Sequence, residues 1–141
     1  MKTDVVLSLQ GKQFYDDQDP EVIELVTDGV LEDLGEERWE LSYQESDLTG
    51  LTGTTTTFLV EPGKVTLRRN GALRSEMVFQ EGVCHESLYE MDFGALLVVI
   101  SPKKVYYALS HEGGCIDLIY GIEIEQSAAG RIEYHLTIRK K

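Results

Sequence analysis

The stretch LTGLTGTTTTFLVEPGKVTLRRNG, Leu48 to Gly71, decides the fold. Its glycines and threonines superficially suggest a phosphate loop. Such a loop needs a lysine directly after the second glycine and a helix to follow, whereas Gly53 is followed by Thr54 and then by strand-forming residues. Read as a hairpin with Pro62 and Gly63 in the turn, the same residues fall into register. Glu61 faces Lys64, Val60 faces Val65, Phe58 faces Leu67 and Thr56 faces Arg69. A slip of one residue would set Val60 against Thr66 and mix the faces. Alternation then separates the two arginines: Arg68 points outward beside Thr57, and Arg69 points inward with Phe58 and Leu67.

Period-two alternation runs through almost the whole chain. ERWELSYQES places Trp39, Leu41, Tyr43 and Glu45 on one face, and CIDLIYGIEIEQ and RIEYHLTIRK repeat the pattern with Ile116, Leu118, Tyr120, Ile122 and Ile124, then Ile132, Tyr134, Leu136 and Ile138. PEVIELVTDGVLEDLG is the ambiguous run, since Asp19-Pro20 is a helix start signal. Its Val, Ile and Thr content makes it a strand with Ile23, Leu25 and Thr27 on one face, bent at Gly29, allowing a short helical turn at its start. Separate runs ALLVVIS and KVYYALS are divided at Ser101-Pro102, and SAAG at 127 reads as a turn. After Arg69, a three-residue loop Asn70-Gly71-Ala72 sets Leu73 opposite Arg69.

About eleven short runs joined by tight turns make an antiparallel meander, which removes its exposed edges most simply by closing. The expected fold is all-β: a calycin/lipocalin-like barrel of about 8 to 11 strands, with residues 1–141 as a single domain. Hydrophobic residues at 42% and charged residues at 27% are ordinary for a folded globular chain.

Twenty-five acidic against 13 basic residues, a net charge of -12, disfavour nucleic acid and anionic membranes as partners. The N-terminal stretch lacks a signal-peptide h-region and no apolar run reaches membrane-spanning length, so a cytoplasmic location is expected. Cys84 and Cys115 form no CxxC pair and are read as reduced and packed. His85, His111 and His135 are scattered, so no metal and no cofactor are expected.

Strand direction brings the ends of ERWELSYQES and KVTLRR to one rim. Arg69 and Glu45 are therefore expected to meet there as a partly buried pair, with Tyr43 on the face of Glu45 and Tyr89 arriving from VCHESLY. That rim also carries the longer connections, GKQFYDDQDPE, DLTGL and YEMDFG. Arg69, Glu45, Tyr43 and Tyr89 are the candidate ligand-binding residues, and no catalytic residue is assigned. The leading expectation is a non-catalytic barrel binding a small apolar or amphipathic molecule, Arg69 anchoring a carboxylate or phosphate. Alternatives are a protein-interaction or structural module acting through its outer surface or as a homodimer, and a hydrolase using Glu45.

The segments IELVTDG (23–29), LSYQESDLTGLTGTTTT (41–57), VTLRRNG (65–71), MVFQEG (77–82), SLYEMDFGAL (87–96), EGG (112–114) and LIYGIEI (118–124) together resemble the YwiB-like bacterial family, a domain of unknown function. They include Tyr43, Glu45, Thr49, Gly50, Arg69, Gly71, Phe79, Gly82, Tyr89 and Gly94. The resemblance implies a calycin-like barrel over nearly the whole chain and no activity to transfer. YEMDFG departs from the Thr-Pro-Tyr-Gly-like turn expected of the family, which implies a different loop shape between Glu90 and Gly94.

Overall fold

The structure is a computed structural model and describes residues 2–14, 19–45, 52–91, 94–125 and 127–141. Ten strands follow one another: β1 (Lys2–Phe14), β2 (Glu21–Gly35), β3 (Arg38–Gln44), β4 (Thr55–Glu61), β5 (Lys64–Asn70), β6 (Ser75–Phe79), β7 (His85–Met91), β8 (Gly94–Ser110), β9 (Gly113–Ile124) and β10 (Ser127–Lys140). All pair antiparallel in one sheet of order β6-β5-β4-β3-β2-β1-β10-β9-β8-β7. The first and last strands pair along their length, Val5 with Lys140 through Phe14 with Arg131, so the sheet curls into a barrel. Closure is completed loosely where β6 meets β7, through the bridges Arg74–Glu90 and Gln80–Val83. The barrel is nearly closed, and one seam in it is thinly paired.

The hairpin at Pro62-Gly63 has the register expected from sequence: Val60 pairs Val65, Phe58 pairs Leu67 and Thr56 pairs Arg69. Tyr107 holds this turn, donating its hydroxyl to the Glu61 carbonyl (2.9 Å) and accepting from Gly63 N (3.1 Å). Several expectations are corrected. The runs expected on either side of Ser101-Pro102 are one strand, β8, with a bulge between Pro102 and Lys104. The extra residue shifts the inward positions from Val98 and Ile100 to Val105, Tyr107 and Leu109, and that parity change imitates a turn. Arg69 pairs Ser75 rather than Leu73, a two-residue slip that preserves the face but lengthens the loop. Ser127 already pairs with Ile124, so SAAG lies within β10. No helical turn forms at Asp19-Pro20. Cys84 is exposed rather than packed, its Sγ lying 3.3 Å from Ser101 Oγ.

Inward side chains divide the interior into two zones. Phe58, Phe79, Leu41, Leu67, Met77, Ile100, Leu118 and Leu136 are fully buried and fill the end bearing the turns Glu36-Glu37, Pro62-Gly63 and Glu81-Gly82. At the other end the inward positions become Thr54, Thr56, Glu45, Arg69, Ser75 and Ser87. Two glycines allow close approach there and at the wall. A Cβ on Gly29 would lie 2.8 Å from the Ser42 carbonyl and 2.9 Å from Leu7 Cδ1. One on Gly71 (φ 153°) would collide with the Gly53 carbonyl and Thr54 Cα. The turn after β5 thus packs directly on the strand entering β4, reinforced by Ala72 N donating to Thr54 Oγ1 (3.1 Å).

Phe58→Ala is expected to destabilise the protein by about 3–5 kcal/mol, because a large fully buried ring leaves a cavity in the packed zone. Arg68→Ala, which removes only an exposed pair with Glu76 at 3.4 Å, should change stability by about 0.5 kcal/mol or less. Urea unfolding of the two variants measures the contrast.

Candidate functional site

Inward polar or aromatic residues from several strands gather toward the polar end: Tyr43 of β3 with Glu45 just beyond that strand, Arg69 of β5, Tyr89 of β7, Tyr120 of β9 and Tyr134 of β10. These six side chains line one cavity of about 340 Å³. Its remaining wall is largely apolar, from Leu9, Ile122, Ile124 and Ile132, and Lys12, Gln13, Glu21 and Ile23 stand along the ends of β1 and β2. Ile23, expected inward, is 44% exposed because it sits at this mouth. The floor is the packed zone: the Phe79 ring lies 4.8 Å from that of Tyr120, and Phe58 lies 5.8 Å from Tyr134.

Arg69 is the electrostatic centre. Burial works against its charge, yet a guanidinium loses its proton only far above neutral pH, so Arg69 stays protonated among the phenols of Tyr134, Tyr89, Tyr43 and Tyr120. It hydrogen-bonds the Tyr89 hydroxyl, which in turn donates to Met77 Sδ at 3.0 Å. The Tyr43 and Tyr134 hydroxyls lie 3.2 Å apart, so one donates to the other and a second proton is left to point elsewhere. Burial pushes Tyr43 up to about 12, with the Tyr134 hydrogen bond opposing and the Glu45 charge adding. Burial also raises Tyr89, Tyr120 and Tyr134, which keeps these phenols as neutral hydrogen-bond donors at neutral pH.

Arg69 and Glu45 both face the cavity. Glu45 Oε1 accepts from Thr56 Oγ1 at 2.7 Å, and Glu45 N donates to the Thr54 carbonyl at 2.8 Å. The run of threonines that begins β4 therefore positions the carboxylate. Chemically, the site offers one fixed cation, several neutral O–H donors, one carboxylate and an apolar wall. That combination suits an amphipathic molecule with an acceptor-rich head.

Residues 7–138 match the family model described as Domain of unknown function (DUF1934). The chain belongs to this family. It is 30% identical over 125 residues to the "Uncharacterized beta-barrel protein YwiB" of Bacillus subtilis (strain 168), a match covering 88% of this chain and 86% of that protein. The solved structure described as "Crystal structure of ywiB protein from Bacillus subtilis" superposes with a TM-score of 0.86 at 26% identity, covering 99% of this chain and 93% of that one. The resemblance noted in the sequence is thus a DUF1934 resemblance, and the barrel is shared.

Within this DUF1934 chain, all four candidate residues, Arg69, Glu45, Tyr43 and Tyr89, line the cavity. Thr49, Gly50 and the step from Asp92 to Phe93 lie outside the described residues. Tyr120 and Tyr134 were legible as inward residues but not as neighbours of Arg69. Their height in the barrel is set by the stagger of β9 and β10 against β1, which no local pattern reports. Thr56 was legible as the partner of Arg69, yet its bond to Glu45 depends on β3 pairing with β4, Tyr43 opposite Thr56.

The raised phenol of Tyr43 carries a pH dependence. A hydroxyl whose folded value exceeds its ordinary 10.0 holds its proton more tightly in the folded chain. Its contribution is complete below the unfolded value and is lost as pH rises through about 12. Urea midpoints measured across that alkaline window should fall, and Tyr43→Phe, which cannot ionise, should make the fall shallower. A variant declining as steeply as the parent would exclude Tyr43 as a source.

Proposed function

We propose that this DUF1934 barrel is a non-catalytic binding protein for a small amphipathic molecule, its anionic head held against Arg69 and its tail along Leu9, Ile122, Ile124 and Ile132. The observation that carries the reading is the cavity of about 340 Å³ with a guanidinium among four phenols at its inner end. That size lies at the small end of ligand pockets, which run from about 300 to 1,000 Å³. At ~30 Å³ per water it has room for roughly eleven water molecules, so the ligand is compact. A calycin-like mode of binding, in the barrel mouth, is part of the same proposal.

The Thr56 bond to Glu45 supports a positioning role for that carboxylate over a general base in a hydrolase. The proposal takes the cytoplasm as the setting, supported by two cysteines that are both free. Among the described residues no helix is long and apolar enough to cross a membrane.

Calorimetric titration with octanoate and 1-octanol tests the reading. The carboxylate should bind the parent protein, and Arg69→Gln should weaken it by about tenfold or more while leaving the alcohol little changed. Circular dichroism checks that the variant keeps its fold. A parent protein that binds no octanoate, and carries no small molecule in native mass spectrometry when purified from its source, would overturn it.

A further inference from the structure

A glycine at an inward position of a strand needs a reason, because it weakens the strand and leaves nothing to pack. Gly11 holds such a position in β1, on the face of Leu9 and in the wall of the cavity. Neither a bulge, nor left-handed backbone, nor close packing accounts for it. The ladders run through Gly11 without a shift of register on either side, to Tyr134 and to Ile23. Its φ lies outside the left-handed region, unlike those of the turn glycines 35, 63 and 82. A Cβ built on Gly11 would meet nothing within 4 Å, whereas one on Gly29 would press on Ser42 and Leu7. Of the glycines whose surroundings are described, Gly11 alone has ordinary backbone and open space in front of it.

That space belongs to the cavity. Tyr134, directly opposite on β10, is the side chain placed to cover the glycine, but its ring is turned toward Phe58, 5.8 Å between centroids, and its hydroxyl toward that of Tyr43 at 3.2 Å. On the other side Ile23 of β2 stands 44% exposed at the mouth. Along β1, Leu9 is buried and Gln13 is half-buried at the rim of the cavity. The cavity is therefore widened on one wall, just inside its mouth. The widening is floored by main chain whose N–H and C=O groups point along the sheet toward β2 and β10, so the floor is flat and its polar groups are turned aside.

We propose that Gly11 shapes a bay for an aromatic ring: the ligand is an amphipathic anion whose apolar body is a planar ring, lying flat over Gly11 between Tyr134 and Ile23. A planar ring makes contact with such a floor across its whole face, whereas a linear alkyl chain touches it along one edge and leaves the width of the bay unfilled. Tyr134 is one of the phenols around Arg69 and also borders the bay, so a cation and a ring-sized recess share an aromatic neighbour that packs edge to face against a ring. A ring in this place also covers the exposed Ile23. Any side chain at position 11 would project into the bay and exclude the ring, which makes Gly11 a specificity-determining residue. This inference rests on the proposed binding of an amphipathic anion and adds to it the class of the apolar body.

The test is calorimetric titration of phenylpropanoate and octanoate, each with a single carboxylate, into the parent, Gly11→Ala, Gly11→Val and Arg69→Gln proteins, with folding followed by urea unfolding. The parent should bind phenylpropanoate more tightly than octanoate. Gly11→Val should weaken phenylpropanoate by about tenfold or more, with Gly11→Ala in between, and should weaken octanoate less. Its urea midpoint should equal or exceed that of the parent, since a β-branched residue replaces a strand glycine that faces open space. Unchanged phenylpropanoate affinity in Gly11→Val, with Arg69→Gln impaired, overturns the bay and leaves the Arg69 reading standing. A lowered midpoint in Gly11→Val makes the glycine a structural requirement of β1 and likewise overturns the bay. Octanoate binding to the parent as tightly as phenylpropanoate, or more tightly, overturns the aromatic assignment. Binding of neither acid to the parent overturns both the bay and the reading on which it rests.

Discussion

A guanidinium cannot shed its charge, and at Arg69 it points into a barrel. Much of the interior follows from that constraint. A cation taken out of water is tolerated where polar groups replace its hydration. Here the replacement is a ring of phenols from four strands, joined by the hydrogen bonds from Arg69 to Tyr89 and between Tyr43 and Tyr134. Phenols serve because each has an apolar body to pack and one hydroxyl to aim. Tyr120 and Tyr134 rest on Phe79 and Phe58, so the ring is also the upper surface of the hydrophobic core. The protein thus has a rigid packed half that fixes the position of a polar half.

The same division shapes the wall. β1, β2, β8, β9 and β10 are long and paired throughout, whereas β6 has five residues and meets β7 mainly through end bridges and a serine hydroxyl. The thin seam lies beside Arg69, where bulky inward residues would close both the seam and the approach to the guanidinium. Glu45 and Thr56 occupy the adjoining wall, and the turn after β5 is clamped onto Thr54 by the glycine at 71. The polar end is therefore organised from the β3–β4–β5 side, while its apolar wall comes from β1, β9 and β10.

Much of this is legible in the sequence. The Pro62-Gly63 turn with matched apolar residues either side left one sensible register, and that register alone separated the outward Arg68 from the inward Arg69. Strand direction brought Tyr43, Glu45 and Tyr89 to the same rim. Errors arose where local rules have several solutions. A bulge after Pro102 looks like a turn because both reverse the parity of inward residues. A loop after Asn70 two residues longer than expected keeps the same face and changes the partner of Arg69 from Leu73 to Ser75.

Alternation, turn residues and charge balance were enough to determine an antiparallel barrel, its inward faces and the end at which its polar residues gather, because each depends on neighbours close in the chain. Tertiary structure decided which polar groups actually touch. Barrel closure and stagger bring Tyr120 and Tyr134 to the level of Arg69, turn Glu45 toward Thr56, and leave open space among them. Those are contacts between residues far apart in sequence, so their geometry follows from how ten strands close around one core and not from any short stretch of residues.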